Sequence, residues 1–315
     1  MAVPTNTLLT FSAVGNREDL LDKIVNISPT DVPFSSAIGK SKAKATFHEW
    51  QTEVLSAAAQ NAQLQGDDVT FGSAILTTRV GNRTQIMRKE VIISGTQEAV
   101  DKAGRNSELV RQMANKRKEL YRDREFVFLS NQAPVTGNSS TAPQMRPVCG
   151  WITTNASRGA GGANGTTSAA ATDGTQRTFT EAMLVTAMQT SWTQGGSPSM
   201  LLAGPKQRAV VSTFTGGGTK FQQMSADKLS TTITTYVGDF GTVKVTADRF
   251  VRGGQTNADR EVFVLDPDLW AEAVLRPVQG MDIAKTGDNE KGVVLTETTL
   301  ESLQEAGNAI IADLT

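Results

Sequence analysis

Two residues on which most metal and nucleophilic chemistry depends are nearly missing from this sequence. Among 315 residues there is one cysteine, Cys149, and one histidine, His48. A lone cysteine excludes an intramolecular disulfide. One Cys and one His cannot supply the four nitrogen or sulfur ligands of a structural zinc site. A thiol nucleophile would need His48 as its base, far away in the sequence, so the expectation for Cys149 is an ordinary buried thiol. A surplus of one charge is also lacking. Lys and Arg number 31 against 32 Asp and Glu, a net charge of -1, which argues against an electrostatic nucleic-acid binder. A local basic face could still touch a phosphate backbone weakly. No apolar run approaches the roughly 20 residues that span a bilayer. The opening "MAVPTNTLLTFSAVGNRED" lacks the basic start and sustained apolar core of a signal peptide. The expected setting is therefore a cytoplasm-like compartment without a membrane. The sequons at Asn26, Asn82, Asn138, Asn155 and Asn164 then read as chance products of a sequence rich in Asn, Ser and Thr.

The motifs that invite a catalytic reading fail on spacing. "TFTGGGTKF" has its glycines in the wrong order for a phosphate loop, and "GAGGANG" (159–165) misses the dinucleotide spacing and follows no strand. "HEW" is not HExxH, because position 52 is Thr. Two carboxylate pairs remain. Asp67 and Asp68 stand in a Gly-Asp-Asp turn, where Asp is favoured for local reasons. Asp266 precedes Pro267 and reads as a helix cap, with Asp268 just inside. A soluble hydrolase built on either pair would need the carboxylates to converge in a cleft with one pKa raised. No cofactor or metal is called for.

What the sequence does have is a series of segments that look unable to bury themselves. "NREDLLDKIVNIS" predicts a short helix capped by Asn16. "NISPTDVPFSSAIGKSKAKATFHEW" (26–50) then holds Pro29 and Pro33, which pre-set an extended path, the isolated anchors Phe34 and Ile38, and the lysines Lys40, Lys42 and Lys44. From Ala45 the pattern alternates as a strand, with Phe47, Glu49, Gln51 and Glu53 on one face and His48, Trp50, Thr52 and Val54 on the other. "VTFGSAILTTRVGNRTQIMRKEVIIS" adds more β structure beyond a small, polar tip. Residues 45–93 thus read as a long hairpin, marginal in water unless something covers it.

A long helix is predicted next, from Thr96 to about Asn131, with apolar residues at 99, 103, 110, 113, 120 and 127. About 34 residues would make a rod of roughly 50 Å. Gly104 is its weak point, and its basic residues from Arg111 to Arg124 are interleaved with acids, so that pairs such as Glu119–Arg122 support a solvated face. Residues 131–178 read as loop, including a mobile or surface-exposed glycine-rich stretch. Beyond them the sequence predicts a helix over "TFTEAMLVTAMQTSWTQG" and a strand, turn and helix over "SPSMLLAGPKQRAVVSTF". It also predicts a hairpin over "STTITTYVGDFGTVKVTADRFV", a buried strand and short helix over "REVFVLDPDLWAEAVL", and a final hairpin around residues 305–308. The class is α+β without repeating βαβ units.

The order of arm, extended hairpin, long helix and mixed α+β region resembles the major capsid proteins of tailed bacteriophages, the Hong Kong 97-type coat fold. The stretch "NREDLLDKIVNISPTDVPFSSAIGKSKAKATFHEWQTEVL" resembles one branch of that family, in which an arm with a P-T-(D/E)-(T/V)-P-(F/L) core precedes a strand carrying an aromatic. The resemblance implies an N-terminal arm over 1–44, an E-loop over 45–93 and a P-domain with its spine helix over 94–147. It further implies an A-domain over 148–275 and a return to the P-domain sheet over 276–315. Pro29, Pro33, Phe34, Ile38, Lys40, Lys42, Lys44, Trp50, Asp67 and Asp68 become candidate contacts with a neighbouring copy, the lysines with packaged DNA as an alternative target. The implied function is a non-enzymatic subunit that self-assembles into pentamers and hexamers of an icosahedral, DNA-filled head; a tail or other virion protein is the runner-up. Implied partners are further copies of itself, a separate scaffolding protein, a portal, a decoration protein and, weakly, DNA. Inter-subunit lysine–asparagine links from the E-loop are not expected, because residues 45–88 contain no lysine.

Overall fold

The computed structural model describes residues 6, 7, 11, 26, 28, 30–69, 71–214, 234–253 and 260–315. The helix expected after Asn16, the arm residue Pro29 and the glycines at 216–218 lie outside them. The arm residues from Pro33 onward belong to the body of the subunit. Pro33 opens a single-turn helix, α1 (Pro33–Ala37), at the position where a missing N–H costs nothing. Strand β1 (Gly39–Lys42) then runs parallel to a long strand near the C-terminus, pairing Gly39 with Ala271 and Lys42 with Val274. The extended path expected from Pro33 to Lys44 is therefore a helical turn and a sheet strand.

The hairpin is present but shorter in its paired part than expected. Strand β2 (Phe47–Thr52) pairs with β3 (Thr78–Arg83), from Phe47↔Arg83 out to Thr52↔Thr78. The alternation holds, with even positions of β2 half-buried and odd ones exposed. Strand β4 (Gln85–Ser94) leaves the hairpin and joins the body.

The long helix is broken in two. Helix α2 (Gly95–Ala99) is capped by Ser94, not Thr96. Helix α3 (Glu108–Leu129) restarts after Ser107, whose hydroxyl accepts from the Val110 N–H at 3.2 Å. Gly104 between them adopts φ 71°, a left-handed conformation that stops a helix. The rod that remains, 22 residues, is about 33 Å long. Glu119 pairs with Lys116 at 2.9 Å in place of the expected Arg122.

Two sheets carry the rest. After α4 (Val148–Trp151) and the short β5 (Ala156–Ser157), helix α5 (Glu181–Thr193), β6 (Met200–Ala203), α6 (Pro205–Val211), β7 (Thr235–Gly238) and β8 (Gly241–Ala247) follow as the pattern predicted. Strand β9 (Val262–Leu265) leads through one 3-10 turn into β10 (Trp270–Ile283), so "WAEAVL" is strand and not helix, and β10 straddles the expected boundary at 276. Strand β11 (Asn289–Ser302) returns antiparallel to β10, and β12 (Ala309–Ile311) crosses into the other sheet. No hairpin forms around residues 305–308, because the two flanking strands belong to different sheets. The four-stranded sheet has the order β1-β10-β11-β4 and the six-stranded one β5-β12-β9-β6-β8-β7.

Period-two alternation explains how the six-stranded sheet is sandwiched. Leu201, Ala203, Val262, Val264, Ala309 and Ile311 face a cluster with Leu184 and Met188 of α5 and Val211 of α6. Their neighbours Met200, Leu202, Phe263, Leu265 and Ile310 face the second cluster, shared with Leu120, Val127 and Phe128 of α3. Central strands buried on both faces read as unbroken apolar runs, as "MLLA", "VFVL" and "AII" do. Helix α3 crosses the four-stranded sheet where β11 and β10 carry glycine: a Cβ at Gly292 would stand 2.7 Å from the Met113 sulfur, and one at Gly280 3.1 Å from its methyl.

The glycine-rich stretch after β5 is closely packed. A Cβ on Gly174 would stand 2.5 Å from the Gly159 carbonyl oxygen, and one on Gly159 2.0 Å from that of Thr175. Gly159 donates its N–H to the Asp313 carboxylate at 2.9 Å. Glycine serves here for close backbone approach rather than for softness.

Candidate functional site

The hairpin is the feature that the subunit leaves uncovered. Between β2 and β3 the chain projects large apolar side chains into solvent: Leu55 is 84% exposed, Leu64 81% and Phe71 90%. Exposed apolar side chains of this size, belonging to no core of their own, are what a covering partner would bury. At the tip the Asp67 N–H donates to the Leu64 carbonyl at 3.2 Å, Gly66 has φ 85°, and the Asp67 side chain accepts from the Asp68 N–H at 2.9 Å. The tip acids are thus exposed turn residues, free to meet a neighbour.

The base of the hairpin, by contrast, is bolted to its own subunit. Trp50 donates its indole N–H to the Ser302 carbonyl at 2.8 Å and packs against Trp151, the ring centroids 5.4 Å apart and the planes tilted by 43°. His48 lies 3.4 Å from the Glu301 carboxylate and 5.7 Å from the Trp50 ring. Buried Asn82 donates to the carbonyls of Leu300 (2.8 Å) and Arg146 (3.0 Å) and accepts from the N–H groups of Arg146 (2.8 Å) and Arg83 (3.0 Å). Every valence of that amide is used, and the sequon containing it is closed by burial. Asn82 was visible in the sequence only as that sequon. Asn155 has a similar role, donating to the carbonyls of Ala306 and Asn308.

The expected arm anchors also serve their own subunit. Phe34 is fully buried, edge-on to Phe128 at 6.1 Å, and Ile38 is buried in the same cluster. Lys40 pairs with Glu272 at 2.5 Å, and the same carboxylate binds Arg124 of α3 at 2.9 Å. These three, with Trp50, thus have partners within their own chain. Pro33 is half-buried in α1. Lys42 and Lys44 are exposed, as are Asp67 and Asp68, and Lys40 keeps an exposed side chain beside its ion pair.

The chemistry-bearing candidates are committed to structure. Asp266 caps the 3-10 turn, its Oδ1 accepting from the Asp268 N–H at 3.2 Å, so this pair does not converge on a cleft. Cys149 is fully buried and donates to the Ser130 carbonyl at 3.1 Å; burial pushes its thiol well above the ordinary range. Among the described residues there is no group of three His, Cys, Asp or Glu placed to hold a metal, and no helix long and apolar enough to cross a membrane.

The whole-chain comparison decides what this architecture is. The family model for the SU10 major capsid protein matches residues 3–315. The chain belongs to this family. A curated relative, the major capsid protein of Escherichia phage Phieco32, is 34% identical over 169 residues, 51% of this chain and 47% of that protein. The chain thus matches about half of that relative's length. In fold it matches proteins of much lower identity over nearly its full length. A chain of the cyanophage A-1(L) capsid asymmetric unit superposes with a TM-score of 0.64 at 12% identity, covering 98% of this chain and 100% of that one. One from Gordonia phage Cozz gives 0.62 at 10% identity over 99% and 97%. A chain of the capsid of a native GTA particle gives 0.62 at 10% over 97% and 98%. The fold is therefore the α+β, Hong Kong 97-type capsid fold.

Proposed function

We infer that this protein is the structural subunit of a phage head, self-assembling through pentamers and hexamers into an icosahedral shell around packaged DNA. The observation that carries this reading is the match of the capsid family model to residues 3–315. The uncovered apolar hairpin supports it. In this reading residues 45–93 form the E-loop, whose outer part reaches over a neighbour while β4 returns it to the four-stranded sheet. The segment 94–147 with α3 and the four-stranded sheet forms the P-domain, and the six-stranded sheet with α5 and α6 the A-domain. The arm contacts a neighbour through Pro29 and through the exposed lysines Lys40, Lys42 and Lys44, while Phe34 and Ile38 also seat it on its own subunit. Work comes from burying large surfaces between copies, with a polar rim, and not from a catalytic mechanism. A separate scaffolding protein, a portal and a decoration protein complete the head, which is assembled in the host cytoplasm, and DNA contact is weak and non-specific.

The test replaces residues 53–77 by a short turn. The subunit should keep its secondary structure and thermal midpoint, because the base of the hairpin is held by Trp50, Asn82 and His48, yet form no shells. Normal shells from this variant would remove the hairpin from the assembly surface.

A further inference from the structure

The arm is seated where two buried carboxyl groups meet. Glu125 of α3 gives both oxygens to the arm. Its Oε1 accepts from the Phe34 N–H at 2.6 Å, and its Oε2 from the Ser35 N–H at 2.8 Å and from the Ser35 hydroxyl. Asp248, which follows β8, is buried beside the same Glu125, whose charge acts on it. The Asp248 Oδ1 accepts from the Phe250 N–H at 2.7 Å, whereas its buried Oδ2 meets no donor. Glu125 is fully buried and Asp248 is 2% exposed.

Two carboxylates do not sit side by side away from water unless one keeps its proton. Three donors converge on Glu125, which marks it as the anion. Asp248 has an oxygen without a donor, which marks it as the acid: carrying the hydrogen itself, it can donate to Glu125. Burial, and then the charge of Glu125, push the Asp248 carboxyl up to about 8. The surrounding cations are engaged elsewhere. On the segment of Asp248, Arg249 is exposed and Arg252 pairs with Asp173 and Glu261. On α3, Arg122 lies over the Phe250 ring and Arg124 pairs with Glu272, which also holds Lys40 of the arm.

We propose that this seat is a proton-operated latch: Asp248 donates its hydrogen to Glu125 while the arm is docked, and loss of that proton to solvent sets two anions against each other and weakens the hold on Phe34 and Ser35. The sign follows from the acid being raised. The stabilisation is complete below the ordinary aspartate value near 4, declines as pH rises, and is spent at about 8, where the docked pair itself ionises. Residues 33–38 are gripped hardest in acid and loosest in mild alkali. The proposal rests on the seat alone, so its outcome does not depend on whether shells form.

Amide hydrogen exchange on the full-length, unassembled chain tests it. Corrected for intrinsic rates, protection at Phe34 and Ser35 should fall by up to about tenfold per pH unit between pH 5 and 7. In Asp248→Asn, which keeps a hydrogen donor without the titration, it should stay flat. An equal slope in both proteins, or the same slope at Met188 of α5 in the other core cluster, would overturn the latch, the second by showing global opening. Should Asp248→Asn not fold, infrared spectroscopy of the carbon-13 aspartate-labelled wild-type chain decides. A protonated carboxyl that persists at pH 6 and titrates near 8 supports the latch; its absence above pH 5 overturns it.

Discussion

Phe34 and Trp270 meet edge to face, their ring centroids 6.2 Å apart and their planes at 72°, and this contact joins the arm to the strand that anchors the four-stranded sheet. Both rings are essentially without solvent exposure. Truncating Phe34→Ala should cost about 3–5 kcal/mol of subunit stability, the range for emptying a buried aromatic site. Urea denaturation of unassembled subunits measures it. A loss confined to assembly, with stability intact, would contradict the packing role of Phe34 within its own subunit.

The glycine-rich stretch gives a second test. Gly174→Ala would press a methyl group against the Gly159 backbone, which has no flexible side chain to move aside. The expected destabilisation is about 1–3 kcal/mol, as for other overpacked sites. A thermal midpoint unchanged from wild type would show that the stretch is as soft as its composition suggests.

Acid stability tests the break before α3. The carboxyl of Glu108 is held down to about 2, first by its hydrogen bond to Arg111, with Gln112 and Arg105 assisting. A depressed carboxylate stabilises the fold above its ordinary value of 4.5, and that contribution disappears as pH falls toward 2. Glu108→Gln should therefore lower stability near neutrality by up to about 1 kcal/mol, the range of surface ion pairs, and converge with wild type near pH 2. Curves that stay parallel from pH 7 to 2 would contradict the pairing.

Most elements were legible in the sequence wherever one local signal settled the matter. Alternation gave β2, the buried runs "MLLA" and "VFVL" gave β6 and β9, and Asp266-Pro267 gave the cap. What was not legible shares a physical cause. Phe34 and Ile38 look isolated along the chain, and nothing local reveals that Glu125 and Trp270, far away in sequence, build a seat for them. The final hairpin failed for the same reason, since β11 and β12 flank a turn but pair with strands of separate sheets. The glycine-rich stretch is largely exposed, as its composition suggested, but composition did not reveal that its glycines serve close approach between backbones. Glu125 and Asp248 carried no sequence signal, because a shared proton depends on burial that only the fold supplies.

The most direct test of the capsid reading is electron microscopy, with light scattering, of the purified chain alone and co-expressed with a scaffolding protein. Rings or closed shells built of pentameric and hexameric units are the expected result. A chain that stays monomeric under both conditions, with its hairpin still exposed, would contradict it.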